Sequence, residues 1–128
     1  MKGEQFIAEV RNLAELGTNE DAQKAIRATL EMLRERLAGN EPADLAAQLP
    51  PEIATYVEGI GGREVFSVDE FYDRVAHKEG TESEEAVKNA RAVATVLQTA
   101  VTGGELEDVR SQLSNDYKEL FGQTGSSA

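Results

Sequence analysis

One stretch of the chain occurs twice, and this duplication limits the possible folds more than any other feature. Residues 39–49 read GNEPADLAAQL, and residues 103–113 read GGELEDVRSQL. At the same offset, segments 22–49 and 86–113 share ten identical residues in 28 aligned positions. A unit of about 60 residues buries its apolar surface only marginally by itself. We therefore expect two copies that pack against each other with pseudo-two-fold symmetry around one core.

Apolar residues recur at helical spacing in both copies, which predicts an all-α protein. Phe6, Val10 and Leu13 form one such stripe. A Ser or Thr followed three residues later by an acidic residue is a helix-start signal, and it occurs at Thr18, Ser67 and Thr81. Counted with their caps, the predicted helices are about 4–16, 18–37, 40–49, 52–58, 67–79, 81–101, 105–113 and 115–121.

The expected architecture is a single helical bundle made from a tandem repeat of about four helices. Repeat one covers about 4–58 and repeat two about 67–121, with a glycine-rich connector at 59–66 and a flexible tail at 122–128. The connector reads GIGGREVF, and its residues Ile60, Val65 and Phe66 predict that it packs against the core.

Composition excludes several classes of function. The formal net charge is −11, and such a field repels nucleic acid and anionic membranes. There is no cysteine, which removes disulfides, thiolate metal sites and a cysteine nucleophile. The start of the chain lacks an apolar run of signal-peptide length, and no segment approaches the ~20 apolar residues of a membrane span. We expect a soluble cytoplasmic protein with no membrane or nucleic-acid partner.

One set of polar residues recurs in both copies and is the candidate functional site. Its members are Arg27, Glu41, Asp44 and Gln48, with Arg91, Glu105, Asp108 and Gln112 in the second copy. In a functional interpretation, two guanidinium groups grip a carboxylate or phosphate. In a structural interpretation, each arginine pairs with an acidic residue at the start of the short helix of its own copy, and the glutamine closes the turn. The duplication favours the structural interpretation, because a catalytic site rarely needs to exist twice.

The remaining candidates are weaker. His77 has no orienting partner or nucleophile in the pattern, so we expect a surface residue. The acidic cluster Glu79, Glu82, Glu84 and Glu85 lacks the spacing of a calcium loop and is typical of charges that complement a helix start. GIGG at 59–62 has no Gly-Lys-Ser/Thr ending and follows a helix, so it is a turn. We predict no catalytic, cofactor-binding or metal residue.

The same motifs resemble a known family. They are Phe6 with Val10, Arg27 with Ala28, GNEPADLAAQLP at 39–50, TYVEG at 55–59, EFYDRVA at 70–76 and ARAVATVL at 90–97. Together they resemble the bacterial proteins catalogued as domain of unknown function twenty-two sixty-seven, over residues 5–121. The resemblance implies a small all-helical cytoplasmic protein without a named activity. Two departures are Ile60, where many members carry Trp, and Ser114, where the first copy has Pro50.

Two functions remain open from the sequence. The first is a non-enzymatic cytoplasmic protein that acts through protein–protein interaction or self-association. The alternative is a protein that binds a small anionic ligand, or an enzyme, with a groove between the repeats. The alternative predicts that Arg27 and Arg91 are accessible and converge, whereas the structural interpretation buries each of them against an acidic residue such as Glu41 or Asp44.

Overall fold

A computed structural model describes residues 1–122, and this part of the chain is entirely helical. Its elements are α1 (Gly3–Leu13), α2 (Asn19–Arg36), α3 (Glu41–Ala46), α4 (Pro51–Ala54), α5 (Val68–Glu79), α6 (Ser83–Ala100), α7 (Gly103–Ser111) and a 3-10 helix at Asn115–Glu119. Residues 1–122 contain no strand. The all-α prediction is therefore confirmed. Of the predicted tail, residues 123–128 lie outside the described part.

Long and short helices follow each other in the same order in both halves. Helices of 11, 18, 6 and 4 residues are followed by helices of 12, 18, 9 and 5 residues. The two 18-residue helices, α2 and α6, pack against each other and against α1 and α5. This arrangement places the long helices around one core and the short elements at the ends of α2 and α6. The pseudo-two-fold symmetry itself stays a prediction.

The first helix ends earlier than its apolar stripe predicts. Phe6 and Val10 are fully buried, but Leu13 is 53% exposed. The chain leaves the helix at Ala14, and Glu15 takes a left-handed conformation with φ 55°. Leu13, the last residue of α1, therefore lies outside the core, and Leu16, beyond the turn, packs only partly against it. The predicted helix extended to residue 16, so it ends three residues earlier than expected.

Two of the three predicted helix N-caps are present in the structure, and one is not. The Thr18 hydroxyl accepts a hydrogen bond from the Asp21 N–H at 3.1 Å, and Ser67 accepts one from the Glu70 N–H at 3.1 Å. These two predicted caps are confirmed. The predicted cap at Thr81 is wrong, because α6 begins two residues later with Glu82 as its N-cap.

The connector 59–66 lies against the C-terminal end of α2. Three of its backbone N–H groups donate to carbonyls that the helix end leaves unpaired, and a fourth donates to the loop that follows. These bonds run from Gly62 to Arg34, from Glu64 to Glu35, from Arg63 to Leu37 and from Gly61 to Gly39, at 2.9–3.0 Å. A Cβ at Gly61 would lie 2.2 Å from the Leu37 carbonyl oxygen, and one at Gly62 would lie 2.8 Å from the Glu35 carbonyl oxygen. Because the two backbones approach so closely, only glycine fits at positions 61 and 62.

The connector does not bury its apolar residues as predicted. Phe66 is buried, but Ile60 is 75% exposed and Val65 is 85% exposed. The backbone of the connector, rather than its side chains, makes the contacts with α2, so these two side chains face away from the core. The prediction that Ile60 and Val65 pack inward is wrong.

Candidate functional site

The repeated acidic residues of the two halves meet where α3 packs against α7. The carboxyl groups of Glu41 and Glu105 lie within hydrogen-bonding reach of each other. Glu105 is only 8% exposed, and within residues 1–122 the Oε2 atoms of both residues are buried and have no hydrogen-bond partner. Asp44 and Asp108 are close enough for their charges to act on the same pair. The structure thus brings four of the eight candidate residues together, and all four are acidic.

Burial and like charges hold a proton on this carboxyl pair. Burial, the hydrogen bond with Glu41 and the charges of Glu41, Asp44 and Asp108 together raise the pKa of Glu105 to about 8, and burial makes the largest contribution. At neutral pH, Glu105 therefore keeps its proton, which it can donate to Glu41. The acidic residues around it oppose the binding of an anion there.

The repeated glutamines bond across the two halves. The Gln112 side-chain oxygen accepts a hydrogen bond from the backbone N–H of Ala38 at 2.9 Å. The Gln48 side-chain oxygen accepts one from the N–H of Thr102 at 2.8 Å. Ala38 follows the end of α2 and Thr102 follows the end of α6, so the two bonds are reciprocal. Each glutamine closes a turn of the other copy, whereas the sequence suggested the turn of its own copy.

The repeated arginines lie apart from the carboxyl pair. The side chain of Arg27 is 65% exposed and pairs with Glu31 at 3.1 Å, one helical turn further along α2. Arg91 is also exposed and lines an open depression on α6 together with Leu13. Within residues 1–122, neither arginine forms the expected ion pair with an acidic residue of α3 or α7. The expected ion pairs are therefore not formed, and whether the arginines have a structural or a ligand-binding role stays a prediction.

Arg36 is a buried charge that the repeat pattern did not reveal. It is 7% exposed, and its Nε donates to the Phe66 carbonyl at 3.0 Å. Its guanidinium also reaches the Ser114 hydroxyl at 3.4 Å and lies 5.1 Å from the centre of the Tyr117 ring. The repeat gives no signal, because Ala100 occupies the corresponding position. A basic residue in the last turn of a helix is an ordinary surface pattern.

The other candidates divide into surface and buried groups. His77 is exposed, as expected. In the acidic cluster, Glu79 is 6% exposed and accepts a hydrogen bond from the Asn89 side chain at 2.8 Å. Within residues 1–122, no group of three or more His, Cys, Asp or Glu residues is arranged to hold a metal ion. Every helix in that range is too short or too polar to cross a membrane.

Comparison with known proteins assigns the chain to a family. The family model matches residues 3–120, which include every described helix and the carboxyl pair. A search of curated proteins finds no match. The chain belongs to the family described as an uncharacterized conserved protein, DUF2267.

Proposed function

We propose that this protein acts in the cytoplasm by binding another protein molecule, either a different protein or a second copy of itself, through the connector 59–66. The observation that supports the proposal is the exposure of Ile60 and Val65, at 75% and 85%. Large apolar side chains in such a position are available for burial against a partner. The cytoplasmic location is an expectation from the absence of cysteine and from the family resemblance.

The connector is also held in one backbone conformation. Four of its backbone N–H groups donate to the last turn of α2 or to the residues just after it, and Arg63 has a left-handed φ of 61°. At its far end, the guanidinium of Arg74 lies 4.0 Å from the centre of the Phe66 ring and forms an ion pair with Glu64 at 3.1 Å. A segment that is already ordered loses less conformational entropy when it binds, which favours recognition.

The geometry gives less support to an anion-binding groove. A groove between the copies would be lined by the acidic residues of α3 and α7, which repel anions. Arg27, one of the two proposed grips, instead pairs with Glu31 on its own helix. We therefore rank protein binding first.

The proposal is tested by replacing both apolar side chains with serine. The variant Ile60→Ser/Val65→Ser keeps the connector backbone, and since both side chains are exposed, its stability should change by less than about 0.5 kcal/mol. Leu13→Ser is the matched control, because Leu13 is a third exposed apolar residue outside the connector. Each tagged protein is used to capture partners from cell extract, and its own mass is measured by light scattering.

We expect the wild-type protein and Leu13→Ser to retain the same partner, or to form the same oligomer, and the connector variant to lose it. If all three proteins capture the same set and have the same mass, the connector is not the binding surface. A monomer that captures nothing in any of the three forms would also overturn the proposal.

A further inference from the structure

A cleft of about 490 Å³ opens at the end of the bundle where α5 turns into α6. Its walls come from the α1–α2 loop, the start of α2, the α5–α6 turn and the first turns of α6. Five acidic side chains line it: Asp21, Glu79, Glu82, Glu84 and Glu85. Among the described residues of the lining, Lys24 carries the only positive charge. Clefts of this volume are typical of sites for small organic ligands.

Two of the lining residues are buried and have oxygen atoms without a hydrogen-bond donor. Glu79 is 6% exposed and Asn89 is 3% exposed. The Asn89 amide donates to Oε1 of Glu79 at 2.8 Å, but Oε2 of Glu79 and Oδ1 of Asn89 have no partner within residues 1–122. A buried acceptor that lacks a donor costs about 1–3 kcal/mol. The cleft therefore has two adjacent acceptors, one of them a carboxylate, that need donors.

The fold itself does not require this polar pair. The positions that correspond to Glu79 and Asn89 in the first half are Ala14 and Ala25, and both alanines are buried. The first half makes the equivalent helix junction with two small apolar side chains. Glu79 and Asn89 thus impose a desolvation cost that the first half avoids at the same place.

We propose that this cleft binds an aliphatic amine with two or more ammonium groups, one seated between Glu79 and Asn89 and the next held by the carboxylates at the rim. An ammonium group supplies three N–H donors and a positive charge. These match the two unpaired acceptor oxygens, one of which belongs to a buried carboxylate. The exposed carboxylates of Glu82 and Glu84 then provide the charge that a second ammonium requires, together with the half-buried Glu85, which also pairs with Lys88 at 3.2 Å.

A divalent metal ion fits the same cleft less well. Calcium takes six to eight oxygen ligands, and magnesium requires near-octahedral geometry. The buried pair offers one carboxylate and one amide oxygen, and no metal-ligating group of three occurs within residues 1–122. The pKa of Glu79 is raised, mainly by burial, while the positive charge of Lys24 acts in the opposite direction. A nearby cation therefore stabilises the charged form of this carboxyl group. Lys24 should therefore compete with a bound amine.

The probe is 1,4-diaminobutane, added to the ¹⁵N-labelled protein at pH 7.5 and followed by amide chemical shifts. We expect saturable shifts at residues 79–89 and at the start of α2. Glu79→Gln should weaken the affinity at least tenfold, and Lys24→Gln should strengthen it. Glu58→Gln is the matched control, because Glu58 is an exposed carboxylate outside the cleft, and its affinity should stay within twofold of wild type. Thermal melts check that each variant is folded.

Three results would overturn the proposal. The first is the absence of saturable shifts in the wild-type protein. The second is the same affinity for Glu79→Gln and Glu58→Gln, which is the behaviour of a counterion attracted by the net charge of −11. The third is that another ligand takes the place of the diamine. This ligand would be either 1,4-butanediol, which has the same length without charge and would bind with equal affinity, or Mg²⁺, which would give a saturable response. The test is independent of the connector 59–66, so it leaves the proposed function untouched.

Discussion

Replacement of Glu105 by Gln should stabilise the protein at neutral pH and leave it unchanged in acid. The pKa of Glu105 is raised from 4.5 in a free carboxyl to about 8 in the folded protein. The folded state therefore retains a proton that the unfolded chain loses above pH 4.5. Stability is full below pH 4.5, falls as the pH rises towards 8 and is constant above that value.

The magnitude follows from the pKa difference. Each pH step between the two pKa values costs about 1.4 kcal/mol, so the upper limit at pH 7 is about 3.5 kcal/mol. Glu41, the partner, is only half-buried and water screens part of the interaction. We therefore expect a cost of about 2 kcal/mol. A glutamine at position 105 stays neutral and donates a hydrogen bond to Glu41 at every pH, so it removes this cost.

The assay is urea denaturation of the wild-type protein and Glu105→Gln between pH 4.5 and 9. We expect the variant to be more stable by about 2 kcal/mol at pH 7.5, and the two proteins to agree within about 0.5 kcal/mol at pH 4.5. Glu107→Gln is the control, because it makes the same charge change at an exposed position of α7. Parallel pH profiles for wild type and Glu105→Gln would contradict this prediction, as would a variant that is less stable at pH 7.5.

Two further predictions concern the contacts between the halves and the connector. Gln112→Ala and Gln48→Ala should each lower the free energy of unfolding by about 1 kcal/mol, because each removes the acceptor of a backbone N–H. The control in urea denaturation is Gln23→Ala, at an exposed position of α2. Equal free energies of unfolding for the three variants would contradict the prediction. Gly61→Ala should cost more than about 2 kcal/mol, because its Cβ would lie 2.2 Å from a carbonyl oxygen of α2. Gly17→Ala has no atom within 4 Å of the added Cβ and should stay within about 0.5 kcal/mol in a thermal melt, so similar losses for both glycine variants would rule out the close approach as the cause.

The sequence predicted features that depend on neighbours along the chain. Helical spacing placed Phe6 and Val10 in the core, and the caps at Thr18 and Ser67 mark real helix starts. Glycine favours the left-handed conformation that ends a helix, and Gly80 takes it after α5 with φ 68°. Each of these depends on a few residues whose preferences are local.

Features that depend on how the halves meet were not predictable in the same way. The pairing of Glu41 with Glu105 and the burial of Arg36 join residues more than sixty positions apart. The exposure of Ile60 depends on which side of the connector faces α2, and backbone hydrogen bonds decide that rather than hydrophobicity. The repeat did identify the acidic residues and glutamines of the contact between the halves, but it included Arg27, which pairs with Glu31 in its own helix.

The reciprocal glutamine bonds have a consequence for the origin of the chain. In a two-fold symmetric dimer, every contact between subunits occurs twice, and a residue on the axis meets its own copy. A duplicated contact of this kind is formed by the bonds of Gln48 with Thr102 and of Gln112 with Ala38. Glu41 and Glu105, which are equivalent in the repeat, meet as a residue on the axis would meet its own copy. Two half-length subunits fused into one polypeptide would leave contacts of this kind. Arg36, opposite Ala100 in the repeat, makes a contact that occurs only once, so the two halves are not equivalent at this position.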